Sequence, residues 1–113
     1  MSLSQTKSLE QLRTLNEKFR ASGCDYSKIR EILVQEGCDL DLAVIFRIFP
    51  DSGSTWVVEL MNQDGELMKY DLDVAANSCL EAEVIDRSSF GKRSGQIMMK
   101  SVAVLQEERA NAS

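Results

Sequence analysis

The stretch 55–74 constrains the fold most, because two runs of alternating side chains flank the turn sequence Asn62-Gln-Asp-Gly65. This pattern predicts an antiparallel hairpin. A two-residue Asp-Gly loop would place the apolar face of one strand beside charged residues of the other. A three-residue loop with Gly65 left-handed joins apolar to apolar, pairing Trp56 with Leu72, Val58 with Tyr70 and Leu60 with Met68. Because a one-residue slip inverts every side chain, the sequence predicts the bulged hairpin.

The first part of the chain has the periodicity of two short amphipathic helices. Ser8 and Gln11 have capping-box spacing, and a helical apolar stripe follows them up to a stop at Gly23. Asp25 is the expected N-cap of the second helix, which should end at Gly37. The two stripes are Leu9, Leu12, Leu15 and Phe19, and then Tyr26, Ile29, Ile32 and Leu33.

Three further segments extend the predicted sheet. Residues 40–49 alternate and predict a strand before the hairpin, while Leu80, Ala82 and Val84 predict a strand after it. Residues 96–106 are apolar on both faces. Their valines and their position favour a fifth strand, although Met98, Val102 and Leu105 also have helical spacing.

The expected fold class is therefore α+β: two N-terminal helices packed on one face of a curved antiparallel β-meander of four to five strands. In general architecture this resembles cystatin-like and NTF2-like folds. Residues 1–113 should form a single domain with frayed ends at 1–7 and 107–113. The chain has no apolar run of 18 residues and no secretory signal pattern, so we expect a cytoplasmic protein.

Composition narrows the chemistry. Histidine is absent, which removes the usual general base and the commonest zinc ligand. The three cysteines (Cys24, Cys38 and Cys79) have neither the number nor the spacing of a disulfide framework or a C-x-x-C site. We therefore expect no catalytic residues, no metal and no cofactor, and we lean away from an enzyme.

The net charge of −5 is unevenly distributed along the chain. Residues 31–86 carry thirteen acidic and two basic side chains, whereas the segments on either side are mildly basic. An acidic centre disfavours duplex nucleic acid and suits a basic protein partner.

The candidate partner-binding residues are four carboxylates, Asp71, Asp73, Glu81 and Glu83, and two cations, Lys92 and Arg93. If Val74 pairs with Leu80, Asp73 faces Glu81 and Asp71 faces Glu83. Like charges in such pairs are unfavourable. The four carboxylates therefore leave three alternatives: a basic partner, a hard cation, or a surface that is merely solvated. The Gly91-Lys92 pair lacks the glycine spacing of a phosphate-binding loop. Lys92 and Arg93 could instead dock on the carboxylates of their own chain or of a neighbour, and the alternative is a flexible corner with a modest electrostatic role.

Three functional hypotheses follow. The first is a non-catalytic interaction module, homodimeric through the sheet, that binds a protein partner with its acidic face. The second is a small-ligand binder or NTF2-like enzyme with Phe46, Trp56 and Tyr70 lining a pocket inside the curved sheet; their alternative role is core packing. The third is weak nucleic-acid binding through the basic segment 87–100.

Overall fold

A computed structural model describes residues 3–21, 26–86 and 93–112. In chain order its elements are α1 (Leu3–Arg20), α2 (Ser27–Gln35), β1 (Val44–Pro50), β2 (Thr55–Met61), β3 (Leu67–Asp73), β4 (Ser78–Val84) and α3 (Arg93–Ala112). The four strands form one antiparallel sheet in the order β1-β2-β3-β4. The predicted α+β class and the antiparallel meander are therefore confirmed.

The β2–β3 hairpin has the predicted register. Trp56 lies opposite Leu72, Val58 opposite Tyr70 and Leu60 opposite Met68. The Asn62 N–H donates to the Glu66 carbonyl at 2.9 Å, and Gly65 has φ +80°. The three-residue loop thus depends on a glycine at its left-handed position.

The helices differ from expectation at several points. Residues 96–106 belong to α3, so the predicted fifth strand is wrong. Residues 101, 102 and 105 are buried, while 100, 103, 104 and 107 are exposed, which is helical periodicity. α1 begins at Leu3 rather than after Ser8, and both α1 and α3 extend into segments expected to be frayed. The predicted end of the first helix at Gly23 and the predicted N-cap of the second helix at Asp25 lie outside the described residues.

The second helix ends as its sequence indicates. Gly37, at φ +94°, follows the helix, and its N–H donates to the carbonyl of Val34. The N–H of Cys38 reaches back to the carbonyl of Leu33 at 3.0 Å. These two bonds satisfy carbonyls that would otherwise lack a partner at the helix end.

The sheet has apolar clusters on both faces, which corrects the prediction of helices on one face only. We call the face bearing Leu60 the inner face and the face bearing Met61 the outer face, since neighbouring residues of a strand point to opposite sides. The inner cluster joins the sheet to α2 and to Phe19 at the end of α1. The outer cluster joins Met61 and Leu67 to Val102 and other residues of α1 and α3.

A β-bulge in β1 moves one predicted pocket residue. Ile45 pairs with Leu60 and Arg47 with Glu59, so Phe46 is the extra residue. Phe46 packs in the outer cluster, whereas Trp56 and Tyr70 contact the inner one. The expectation that the three aromatic side chains share a face is wrong, because one inserted residue reverses the alternation that follows it.

A side chain of α1 covers the β1 edge of the sheet at Ile45. Asn16 is 2% exposed. Its Oδ1 accepts from the Ile45 N–H at 2.9 Å, and its Nδ2 donates to the Ile45 carbonyl at 2.8 Å. The amide therefore takes the place of a neighbouring strand.

Candidate functional site

The opposite edge of the sheet, β4, has no such cover within the part of the chain that the structure describes. The Ile85 N–H donates to the Leu67 carbonyl at 2.8 Å. Antiparallel ladders alternate, so Glu83 and Glu81 are bonded towards β3, while the N–H and C=O groups of Ala82 and Val84 point away from it. Residues 80–84 are all exposed. This edge is an available hydrogen-bonding surface.

A second bulge sets the register of β4. Asp71 pairs with Glu81 and Leu72 with Cys79, which leaves Leu80 as the extra residue. Lys69 consequently faces Glu83, and Asp73 faces Ser78. The predicted pairs of Asp73 with Glu81 and of Asp71 with Glu83 are wrong, because they assumed that Val74 pairs with Leu80, whereas a tighter turn already pairs Asp73 with Ser78 and the bulge then shifts the register by one residue.

The new register sorts the charges of the outer face into two rows. One row crosses the sheet with alternating sign: Arg47 faces Glu59, Glu59 faces Lys69, and Lys69 faces Glu83. The Arg47 Nη1–Glu59 Oε2 distance is 3.4 Å, and the Lys69 Nζ–Glu83 Oε1 distance is 3.8 Å. Cross-strand pairs of this kind contribute on the order of 0.2–1 kcal/mol each. This row is therefore a cross-strand charge ladder.

The second row is acidic. Asp71 lies directly opposite Glu81, and Val57 is the β2 neighbour of Asp71. Among the described residues, no cation lies within ion-pair distance of Asp71 or Glu81. The uncompensated charge of this face is therefore concentrated next to the open edge.

Asp73 has a local structural role. Its Oδ1 accepts from the Ser54 hydroxyl at 2.7 Å and from the Ala76 N–H at 3.2 Å. These two bonds, the one from Ser54 first, hold the pKa of the Asp73 carboxyl below its usual range. Asp73 thus connects the turn before β2 with the turn after β3, apart from the Asp71–Glu81 pair.

The predicted basic corner cannot be placed on the acidic row. Lys92 lies outside the described residues, and so does most of the segment 87–95. Arg93 is the first residue of α3, and Lys100 is exposed on the same helix. Docking of Lys92 and Arg93 on the carboxylates stays a prediction.

The two remaining pocket candidates are packed in the inner cluster. The Cys38 thiol donates to the Tyr70 hydroxyl at 3.2 Å, and burial raises the pKa of both groups. The Trp56 ring meets Tyr26 edge-on, with centroids 5.9 Å apart. Tyr70 and Trp56 therefore contribute to core packing.

Neither a membrane span nor a metal centre is visible in residues 3–21, 26–86 and 93–112. No helix there combines the length and the apolar character needed to cross a bilayer. No group of three or more Cys, Asp or Glu side chains in the same residues is placed to hold a metal ion. Comparison of the chain with protein-family models, with curated proteins and with solved structures found no match.

Proposed function

We propose that this protein is a non-catalytic binding module that accepts an extended, basic segment of a partner protein along β4. The observation that carries the proposal is the difference between the two sheet edges. At Ile45 the β1 edge is covered by the buried amide of Asn16, whereas the described residues leave the β4 edge open. An extended segment added to an open edge gains main-chain hydrogen bonds, and side-chain pockets give it specificity.

The side chains of β4 define the sequence pattern that such a segment needs. Glu81 and Glu83 project on the outer face beside Asp71, and Ala82 and Val84 project on the inner face. Val84 is 64% exposed, so it offers apolar surface to a neighbour. A suitable partner strand alternates Lys or Arg with an apolar residue. Each opposite-charge cross-strand pair adds on the order of 0.2–1 kcal/mol.

A second copy of the chain fits this edge less well. A two-fold axis at Ala82 places Glu81 opposite Glu83, and one at Glu83 places Glu83 opposite itself. Like charges in such positions repel. The homodimer expected from the sequence also rested on a fifth strand, which is part of α3. Self-pairing is the competing outcome of the experiment below.

The experiment uses the full chain labelled with ¹⁵N and two synthetic eight-residue peptides, one alternating Lys with Val and one alternating Glu with Val. The basic peptide should shift the amide signals of residues 80–85, and the acidic one should leave them in place. Ala82→Pro should abolish the shifts, because it removes an outward N–H while sparing the ladder to β3. Ala82→Val keeps that N–H and serves as the matched control.

Three results decide the matter. The proposal fails if the basic peptide leaves residues 80–85 unmoved, or if both peptides bind equally well. A dimer seen by analytical ultracentrifugation and lost in Ala82→Pro would replace the basic partner with a second copy. The cytoplasmic location expected from the sequence is part of this proposal and is checked by fractionation of the native cell.

A further inference from the structure

A cleft on the far side of the sheet from β4 gathers three arginines. It lies between α1 and α3, has a volume of about 220 Å³, and is lined by Arg13, Arg20 and Arg109 together with Glu17 and Glu108. The carboxylate of Asp41, which contacts Arg20, adds a third anion to the two in the lining. The cleft therefore brings three guanidinium groups together in a chain of net charge −5, and what each of them can bind depends on how firmly it is already paired.

The three arginines are engaged to different degrees. Arg13 makes a two-pronged ion pair with Glu108, with Nη2 at 2.9 and 2.6 Å from the two carboxylate oxygens. This ion pair links α1 to α3, and the charge of Arg13 is compensated by Glu108. Arg20 makes a longer contact, 3.3 Å, with Asp41, whose side chain is 86% exposed. An ion pair so open to water is weak and easily exchanged for a better anion.

Arg109 is held in place by a neutral acceptor. Its guanidinium donates to the Ala43 carbonyl, next to the start of β1. Burial, and secondarily the positive charge of Arg20, lowers the pKa of Arg109 to about 10. A fixed, partly dehydrated guanidinium that faces a second cation gains from an anion between them.

We propose that Arg20 and Arg109 form a binding site for a small oxyanion, namely the phosphate or carboxylate group of a metabolite-sized ligand. Guanidinium groups present forked N–H donors that match the oxygens of both groups. The volume is below the roughly 300–1,000 Å³ of pockets that enclose drug-sized molecules, so the cleft holds the anionic group and a short tail. The site is independent of the β4 edge.

The test is a titration of the ¹⁵N-labelled full chain with inorganic phosphate and, separately, with succinate, at matched ionic strength. Saturable one-to-one shifts of amides in residues 13–20 and 105–109 are expected with at least one probe, and the stronger probe identifies the anion class. Arg20→Gln should weaken binding about tenfold or more, the effect of losing one charge-assisted hydrogen bond. Lys18→Gln removes the same charge from an exposed position on α1 outside the cleft and should change the Kd less than about twofold.

A gain of affinity gives a second, opposite readout. Asp41→Asn frees Arg20 from its competing carboxylate and should tighten binding several-fold, whereas Asp64→Asn removes an equal charge from the β2–β3 turn and should not. Neither substitution touches a buried side chain, so folding is preserved. The proposal is overturned if neither probe binds, if Lys18→Gln weakens binding as much as Arg20→Gln, or if Asp41→Asn leaves the affinity unchanged.

Discussion

Replacing Asn16 with leucine tests whether a single amide closes the β1 edge. Leucine has nearly the same shape but leaves the N–H and the C=O of Ile45 without the partners they have at 2.9 and 2.8 Å. Ile45 is 1% exposed, so water cannot replace them. Each unsatisfied buried group costs about 1–3 kcal/mol. After an offset of about 1 kcal/mol for the added apolar burial, Asn16→Leu should lower the free energy of unfolding by about 1–5 kcal/mol.

The assay is urea denaturation followed by circular dichroism, combined with amide hydrogen exchange at Ile45. Gln11→Leu is the matched control, because it makes a similar change at an exposed position of α1 and should alter stability by less than about 0.5 kcal/mol. Faster exchange at Ile45 should accompany the loss of stability in Asn16→Leu. A loss smaller than about 0.5 kcal/mol would refute the role of the amide as a substitute strand.

Two other substitutions test the turns that fix the sheet. Gly65→Ala should lower the free energy of unfolding, measured by urea denaturation, by about 1–2 kcal/mol. The cost is conformational, because Gly65 has φ +80° and an added Cβ meets nothing within 4 Å. Gly65→Asn should recover part of the loss. Asp73→Asn tests the pH dependence of stability. The native carboxyl has a lowered pKa in the folded state. Its stabilising effect is therefore present above the unfolded pKa of about 3.9 and is lost as the pH falls through the folded pKa. The stability difference between native and variant protein should therefore shrink between pH 5 and pH 2, and a constant difference would contradict this assignment.

The β2–β3 hairpin was predictable because two independent signals agree. The apolar alternation excludes the two-residue loop, and Gly65 supplies the left-handed residue that the three-residue loop requires. The same agreement of pattern and terminating glycine identifies the end of α2 at Gly37. Turns and helix ends of this kind can be predicted because the residues that determine them are consecutive in the sequence.

The bulges at Phe46 and Leu80 were not predictable in this way. A bulge inserts one residue without a turn signal, and the cost is met by packing that the local sequence does not show, such as that of Phe46 in the outer cluster. The misassigned α3 has a different cause. Residues 96–106 fit both the strand pattern and the helix pattern. The length of the segment favours the helix, because α3 continues to Ala112 through residues that form helices well.

The residues of the cleft and of the closed edge differ in how visible they are in sequence. Asn16 interrupts the apolar stripe between Leu12 and Phe19, and a polar residue in that position is a signal of buried hydrogen bonding. Arg20 and Arg109 carry no comparable signal. They are 89 positions apart and become neighbours only through the packing of α1 against α3.

The acidic row beside β4 has two consequences that point the same way. Charged side chains on an edge strand prevent indiscriminate pairing, and here Glu81 opposes a second copy of β4 as well as any acidic strand. The same repulsion becomes attraction for a strand that carries Lys or Arg in register, so protection from aggregation and choice of partner arise from one set of charges. Reversing the sign at Glu81 and Glu83 together should therefore exchange the preference, from the basic to the acidic peptide, while the main-chain hydrogen bonds of Ala82 and Val84 keep the mode of binding unchanged. A variant that lost the basic peptide without gaining the acidic one would separate the two consequences and leave only the protective role.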